Sequence, residues 1–124
     1  MTRIRTYKTQ AVVLKQIPLG EADRIITVCT PNMGLIRAVA KGVRRSKSKL
    51  RGHIELLNHI SISLTRGRNL DIVSEAESIN SFANLRKNLK RLSIAFYIAE
   101  IVHGFSAEES PNIDLYRLLL TALS

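Results

Sequence analysis

Between positions 41 and 51 the chain reads KGVRRSKSKLR, and six of those eleven residues are cations: Lys41, Arg44, Arg45, Lys47, Lys49 and Arg51. Ammonium and guanidinium groups at that density repel one another unless something anionic lies against them. A run of phosphates is the polyanion that suits them best. Arg37 stands just before this stretch, and Arg66 and Arg68 come after it. Residues 41–68 hold eight cations against one acid, Glu55, whereas residues 69–124 hold five cations against seven acids. The ordinary meaning of a charge run is a solvated face. Eight to one beside an acidic remainder argues instead for an anion-binding surface made from Lys41, Arg44, Arg45, Lys47, Lys49, Arg51, Arg66 and Arg68.

Other chemistry is poorly supplied. His53, His59, His103 and Cys29 are scattered without the spacing of metal ligands. The histidines read as surface or interface residues, and Cys29, in a Val-rich stretch, as a small core residue. Neither GxxxxGK[ST] nor GxGxxG occurs, so no phosphate-cradling loop is expected. The neighbouring acids Glu75/Glu77 and Glu108/Glu109 have no acid–base partner in the pattern. Glu75 and Glu77 would share one face of a strand and meet water or a basic neighbour. The expectation is a protein that is not an enzyme and carries no metal or cofactor. Binders of single strands usually add aromatic rings on which bases stack. Here Tyr7 is the only aromatic residue before position 82, and Phe82, Phe96, Tyr97, Phe105 and Tyr116 fall in helical patterns that read as core. The expected mode is therefore a grip on backbone phosphates without base readout. It would accept single strands of any sequence, and duplexes, and would leave base edges free for annealing.

The elements that must position these groups follow from periodicity. The chain has 124 residues and a net charge of +9, and 45% of it is apolar, enough for a core and too much for a disordered basic tail. That length allows one domain, or one domain and the start of another. Apolar runs are too short for a membrane span, and Met1-Thr2-Arg3-Ile4-Arg5 lacks the apolar block of a secretory signal. One cysteine points to a reducing compartment. Ile60, Ile62 and Leu64 alternate with Ser61, Ser63 and Thr65, the period of a strand with one buried face. Runs rich in Val, Ile and Thr at 7–15, 24–30, 35–41 and 70–78 predict four more strands. Pro18-Leu19-Gly20, Pro31-Asn32-Met33-Gly34 and Arg66-Gly67-Arg68-Asn69 separate them, with Gly67 expected at positive φ in a tight hairpin loop. The predicted fold class is α+β: a five-stranded antiparallel Greek-key barrel of the oligonucleotide-binding type over residues 1–80, then helices over 81–124. Lys41–Gly52 reads as a flexible loop. Leu85, Leu89, Leu92, Phe96 and Ala99, widened by Ile98, Ile101, Val102 and Phe105, predict one helix capped by Ser81 and stopping near Gly104. A second helix begins near Pro111 with Leu115, Leu118, Leu119 and Leu123. Its apolar stripe running to Ser124 leads us to expect the first helices of a truncated helical domain.

Several stretches carry a resemblance. Gly20-Glu21-Ala22-Asp23-Arg24 followed by Ile25–Thr30, then Gly34-Leu35-Ile36-Arg37-Ala38-Val39-Ala40-Lys41-Gly42-Val43-Arg44-Arg45-Ser46-Lys47-Ser48, Leu64-Thr65-Arg66-Gly67-Arg68-Asn69-Leu70 and Glu75-Ala76-Glu77 resemble the N-terminal region of the RecO family of bacterial recombination mediators. The resemblance implies an oligonucleotide-binding barrel followed by a helical domain. It also implies binding of single- and double-stranded DNA, strand annealing, and action with RecR, single-strand-binding protein and a RecA-type recombinase in the bacterial cytoplasm, associated with the nucleoid. It maps the family's basic surface onto Lys41, Arg44, Arg45, Lys47, Lys49 and Arg51, with Arg37, Arg66 and Arg68 as neighbours. Gly20–Asp23 is a turn on this view, since its two acids would repel phosphate. Some members carry a cysteine-rich metal site in a later region; this chain gives no reason to expect zinc. From the residues alone, an RNA-binding barrel or an adaptor for an acidic protein tail would show the same charge pattern.

Overall fold

A computed structural model describes residues 5–45, 47–106 and 110–124. Arg3, Ser46 and the pair Glu108/Glu109, named above, lie outside the described residues. Five strands come first: β1 (Thr6–Leu19), β2 (Asp23–Thr30), β3 (Gly34–Ala40), β4 (His59–Thr65) and β5 (Asp71–Asn80). Three helices follow: α1 (Ala83–Arg86), α2 (Leu89–Phe105) and α3 (Ile113–Leu123). The strands close into a barrel in the order β1-β2-β3-β5-β4. β1 is long enough to close it, pairing with β4 over Thr6–Val12 and with β2 over Val12–Leu19. Register shifts between Val13 and Lys15, and at two places between β4 and β5, are bulges of the kind that bend strands around a small barrel.

One expectation is corrected. The sheet is mixed, because β3 and β5 run parallel and pair only at Ala38↔Asp71 and Val39↔Ile72. The reason is topological: the connection from β3 to β4 crosses the barrel end, so β4 and β5 return as a hairpin and β5 meets β3 pointing the same way. That seam is the shortest in the barrel.

Two cores explain the sequence patterns. Inside the barrel, Val13, Ile26, Val28, Ile60, Ile62 and Leu64 are fully buried. A second cluster lies outside it, where Val12, Cys29, Leu35 and Leu57 meet Phe82, Leu85, Ala95, Ala99, Val102, Tyr116, Leu119 and Leu123. β4 faces the core on one side only and alternates; β2 and β3 are covered on both sides and read as near-continuous apolar runs.

The helical region departs from expectation in two ways. Its first helix is broken: α1 follows a left-handed Phe82, and α2 restarts at Asn88, whose side chain accepts from the Arg91 N–H. Ser81 therefore does not cap it, whereas the stop expected near Gly104 comes at Phe105. Of the expected stripe, α2 buries Ala99 and Val102 but exposes Leu89, Phe96 and Phe105, and Ala95 takes a buried place instead. Of the five aromatic residues expected in core, Phe82 and Tyr116 are buried and Phe96, Tyr97 and Phe105 are exposed. α3 docks through Tyr116, Leu119 and Leu123, leaving Leu118 exposed. No helix among the described residues is long and apolar enough to cross a membrane.

Candidate nucleic-acid interface

The cationic segment occupies the β3–β4 connection, and the preceding strand turn fixes where it starts. The Gly42 N–H donates to Asp23 Oδ1 at 2.7 Å, and the Arg44 N–H to the Ala22 carbonyl at 2.9 Å. Arg44 Nη1 also reaches the Gly20 carbonyl at 2.7 Å. The Gly20–Asp23 turn therefore anchors the basic connection, which gives Asp23 a structural task. Gly42, at φ +68, supplies the left-handed turn out of β3. Val43 and Ile54 are fully buried in the barrel core and pin both halves of the connection. Within the stretch the sequence read as a flexible loop, the Arg45 N–H donates to the Gly42 carbonyl and the Ser48 N–H to the Arg45 carbonyl, both at 3.1 Å.

The nine expected cations divide by task. Arg51 donates from Nε to the Val43 carbonyl at 3.2 Å and from Nη2 to the Arg44 and Arg45 carbonyls at 2.9 and 3.0 Å. It is half-buried and organises the loop from within. Arg44 is exposed but tethered to Gly20. Lys41, Arg45, Lys47 and Lys49 are exposed and line one groove, whose other wall is β5 from Val73 to Glu77. Glu75 and Glu77 border the same groove on that wall and are exposed. The remaining three are not with them. Arg37, on β3, and Arg66, in the β4–β5 loop, line a second groove with Tyr7, and Arg68 is exposed on the same loop. The guanidinium carbon of Arg66 sits 4.7 Å from the Tyr7 ring centroid, a cation–π contact.

Sequence reasoning missed three residues that hold this architecture. Arg86 donates to the Ser81 and Leu56 carbonyls at 2.7 Å and to Asn58 Oδ1 at 2.8 Å. Asn58 is buried, and its Nδ2 donates to the Gly52 and His53 carbonyls, so the end of the basic connection is tied to α1. Asp71 accepts from the Tyr7 hydroxyl and, at 3.1 Å, from the Gly67 N–H, fixing the β4–β5 loop. None of these carries a sequence signal beyond polarity. Burial raises the Cys29 thiol to about 11, as befits a core thiol. His53 accepts from the Ser78 N–H at 3.0 Å, and His59 lies at the barrel–helix interface. No three His, Cys, Asp or Glu side chains among the described residues come together as a metal site.

A small closed barrel, with a cation-lined connection at one rim and helices docked on its side, places the chain in a class of α+β proteins whose surface charge is their main chemical asset. Comparison with known families makes the class specific. The family described as "Recombination protein O N terminal" matches residues 1–82, and "Recombination protein O C terminal" matches residues 86–124. The chain is 44% identical over 123 residues to a DNA repair protein RecO of Dehalococcoides mccartyi (strain ATCC BAA-2266 / KCTC 15142 / 195), covering 99% of this chain and 49% of that protein. It is 41% identical to a protein of the same name from Roseiflexus sp. (strain RS-1), covering 98% of this chain and 42% of that one. For Trichodesmium erythraeum (strain IMS101) the identity is 43%, over 93% of this chain and 40% of the relative. The chain belongs to the RecO family, and it spans half or less of the length of these relatives.

Proposed function

We propose that this chain is a non-catalytic DNA-binding module of recombinational repair that holds single and double strands by their backbone phosphates and promotes annealing. The observation that carries the reading is the groove between the β3–β4 connection and β5, with Lys41, Arg45, Lys47 and Lys49 exposed along one wall. Phosphate contacts confer affinity without sequence preference. Glu75 and Glu77 on the opposite wall would keep a strand on the cationic side. The strand order is that of an oligonucleotide-binding barrel, in which the β2–β3 face and the loops after β1 and β4 are the usual contact surface. Arg37 and Arg66 are on that surface. The family kinship makes RecR, single-strand-binding protein and a RecA-type recombinase the natural partners of the longer protein, in the bacterial cytoplasm and at the nucleoid.

The test is the salt dependence of binding. Four cations on a single strand give a slope of log affinity against log salt of about −2.8, at roughly 0.7 per phosphate. Replacing Arg45, Lys47 and Lys49 together with Ala should flatten that slope by about 2 and weaken binding equally on all sequences. Arg44 and Arg51 are left intact in this variant because they hold the loop. Wild-type affinity and slope in the triple variant would remove the basis for this site. Competition by a matched RNA strand decides between DNA and RNA as the preferred polyanion.

A further inference from the structure

Strand pairing does not set the width of the basic groove. β5 parts from β3 after Val39↔Ile72, and the groove opens along Val73–Glu77. Past the groove the β3–β4 connection reaches β5 again through His53, which is itself a lining residue. Its Nδ1 accepts from the Ser78 N–H at 3.0 Å and stands 3.0 Å from Ser78 Oγ. A backbone N–H only donates, so this bond assigns the lone pair to Nδ1 and the ring proton to Nε2. The backbone that carries His53 is held in turn. Its carbonyl and that of Gly52 accept from Asn58 Nδ2 at 3.0 and 3.3 Å. Asn58 is 2% exposed, and its Oδ1 accepts from Arg86 Nη2 at 2.8 Å. A guanidinium has no acceptor, so Arg86 draws the amide oxygen to itself and turns both amide N–H groups toward Gly52 and His53. Arg86 is fixed by the Ser81 and Leu56 carbonyls.

From this series of contacts we infer that Arg86 is a positioning residue for the basic groove: acting through Asn58 and His53, it sets the distance between the cationic wall and β5. Arg86 is half-buried on α1 and is not among the residues that line the groove. Without it, Asn58 Oδ1 is a buried acceptor that has lost its donor, at a cost the amide relieves by turning over. Once turned, the amide no longer donates to both the Gly52 and His53 carbonyls. The His53 ring then loses the backbone that aims it at Ser78. Lys41, Arg45, Lys47 and Lys49 keep their charges but not their fixed spacing from β5. A strand that must order the connection as it binds is held less tightly than one that meets it already ordered. The inference rests on the proposed grip on strands and adds what holds that grip in shape.

Arg86→Gln removes the guanidinium, and Lys87→Gln removes the same charge from its exposed neighbour. Binding of a thymidine oligonucleotide should weaken about tenfold in the first and by no more than about twofold in the second. His53→Phe keeps a ring without the acceptor and should lose about as much as Arg86→Gln. The double variant should fall within about twofold of either single one, because both break the same link. Losses that multiply, or equal losses in Arg86→Gln and Lys87→Gln, overturn the inference. Amide exchange reads the link without DNA. In Arg86→Gln the Ser78 amide should gain about threefold or more in exchange rate beyond whatever Ile62, inside the barrel, gains. Equal acceleration at both would make Arg86 a source of stability alone and overturn its positioning role. One measurement needs no variant: at alkaline pH the nitrogen resonances of His53 should show a bare Nδ1 and a protonated Nε2, and the opposite tautomer overturns the inference. Wild-type binding by the loop triple variant would overturn the reading of the groove itself, a failure told apart from the others because the exchange and tautomer measurements contain no DNA.

Discussion

A side chain at position 67 has nowhere to go, because a Cβ there would stand 2.0 Å from the Leu70 carbonyl oxygen. The sequence had marked Gly67 for a positive φ, yet the left-handed glycines are Gly20, Gly34 and Gly42. The hairpin loop needs Gly67 because its backbone passes against Leu70, a requirement no local rule of turn conformation conveys. Gly67→Ala should destabilise the protein by about 1–3 kcal/mol, the usual range for a forced overpacking. Urea midpoints of the two proteins check it, and an unchanged midpoint would mean the loop shifts freely. The same limit explains what was and was not legible at the candidate site. Charge is written in the sequence, so the basic segment could be found. Whether a guanidinium faces solvent or its own loop is not, so Arg51 looked equivalent to Lys49 until its three carbonyl partners were visible.

At the scale of elements, β4 was the easiest to read because one face meets the core and the other does not. The parallel β3–β5 seam was hidden, since two paired positions leave no periodic trace. α2 was read in part: Ala99 and Val102 of the expected stripe are buried, but the close approach to the barrel favours Ala95 there and leaves Leu89, Phe96 and Phe105 outside. Where α3 meets β4, His59 Nε2 lies 3.0 Å from the Tyr116 hydroxyl and 3.2 Å from Gln10 Oε1, and the His59 and Tyr116 rings meet edge to face. Burial lowers the His59 pKa below its ordinary 6.5 and raises the Tyr116 phenol to about 12, helped by the nearby Cys29. The folded state thus binds a proton at His59 less readily than the unfolded chain does. Stability from this site is complete above pH 6.5 and falls as the pH drops from there through the folded pKa. Urea midpoints from pH 8 to about 5.5 should decline in the acid half, and the decline should be smaller in His59→Gln. Parallel curves for the two proteins would assign the acid sensitivity to other groups.

For the whole molecule the question is whether residues 1–80 and 81–124, which the change of period separates, behave as two units. The second core argues that they do not, because Val12, Cys29, Leu35 and Leu57, from the barrel and its β3–β4 connection, share one buried cluster with the helices. Arg86 adds a polar tie between α1 and the end of the basic connection. A barrel stripped of its helices would expose those four apolar residues to water, each worth of order 1–3 kcal/mol when buried. We therefore expect one cooperative unfolding transition. Leu119, fully buried on α3, provides the test. Leu119→Ala should cost about 2–5 kcal/mol, the range for emptying a buried leucine site. In native-state hydrogen exchange the loss should appear equally at Val102 on α2 and at Ile62 inside the barrel, although neither belongs to the element mutated. Protection at Ile62 that stays unchanged while Val102 loses its own would show that the helices open independently. The barrel would then have to hold its basic loop and both grooves in shape without them.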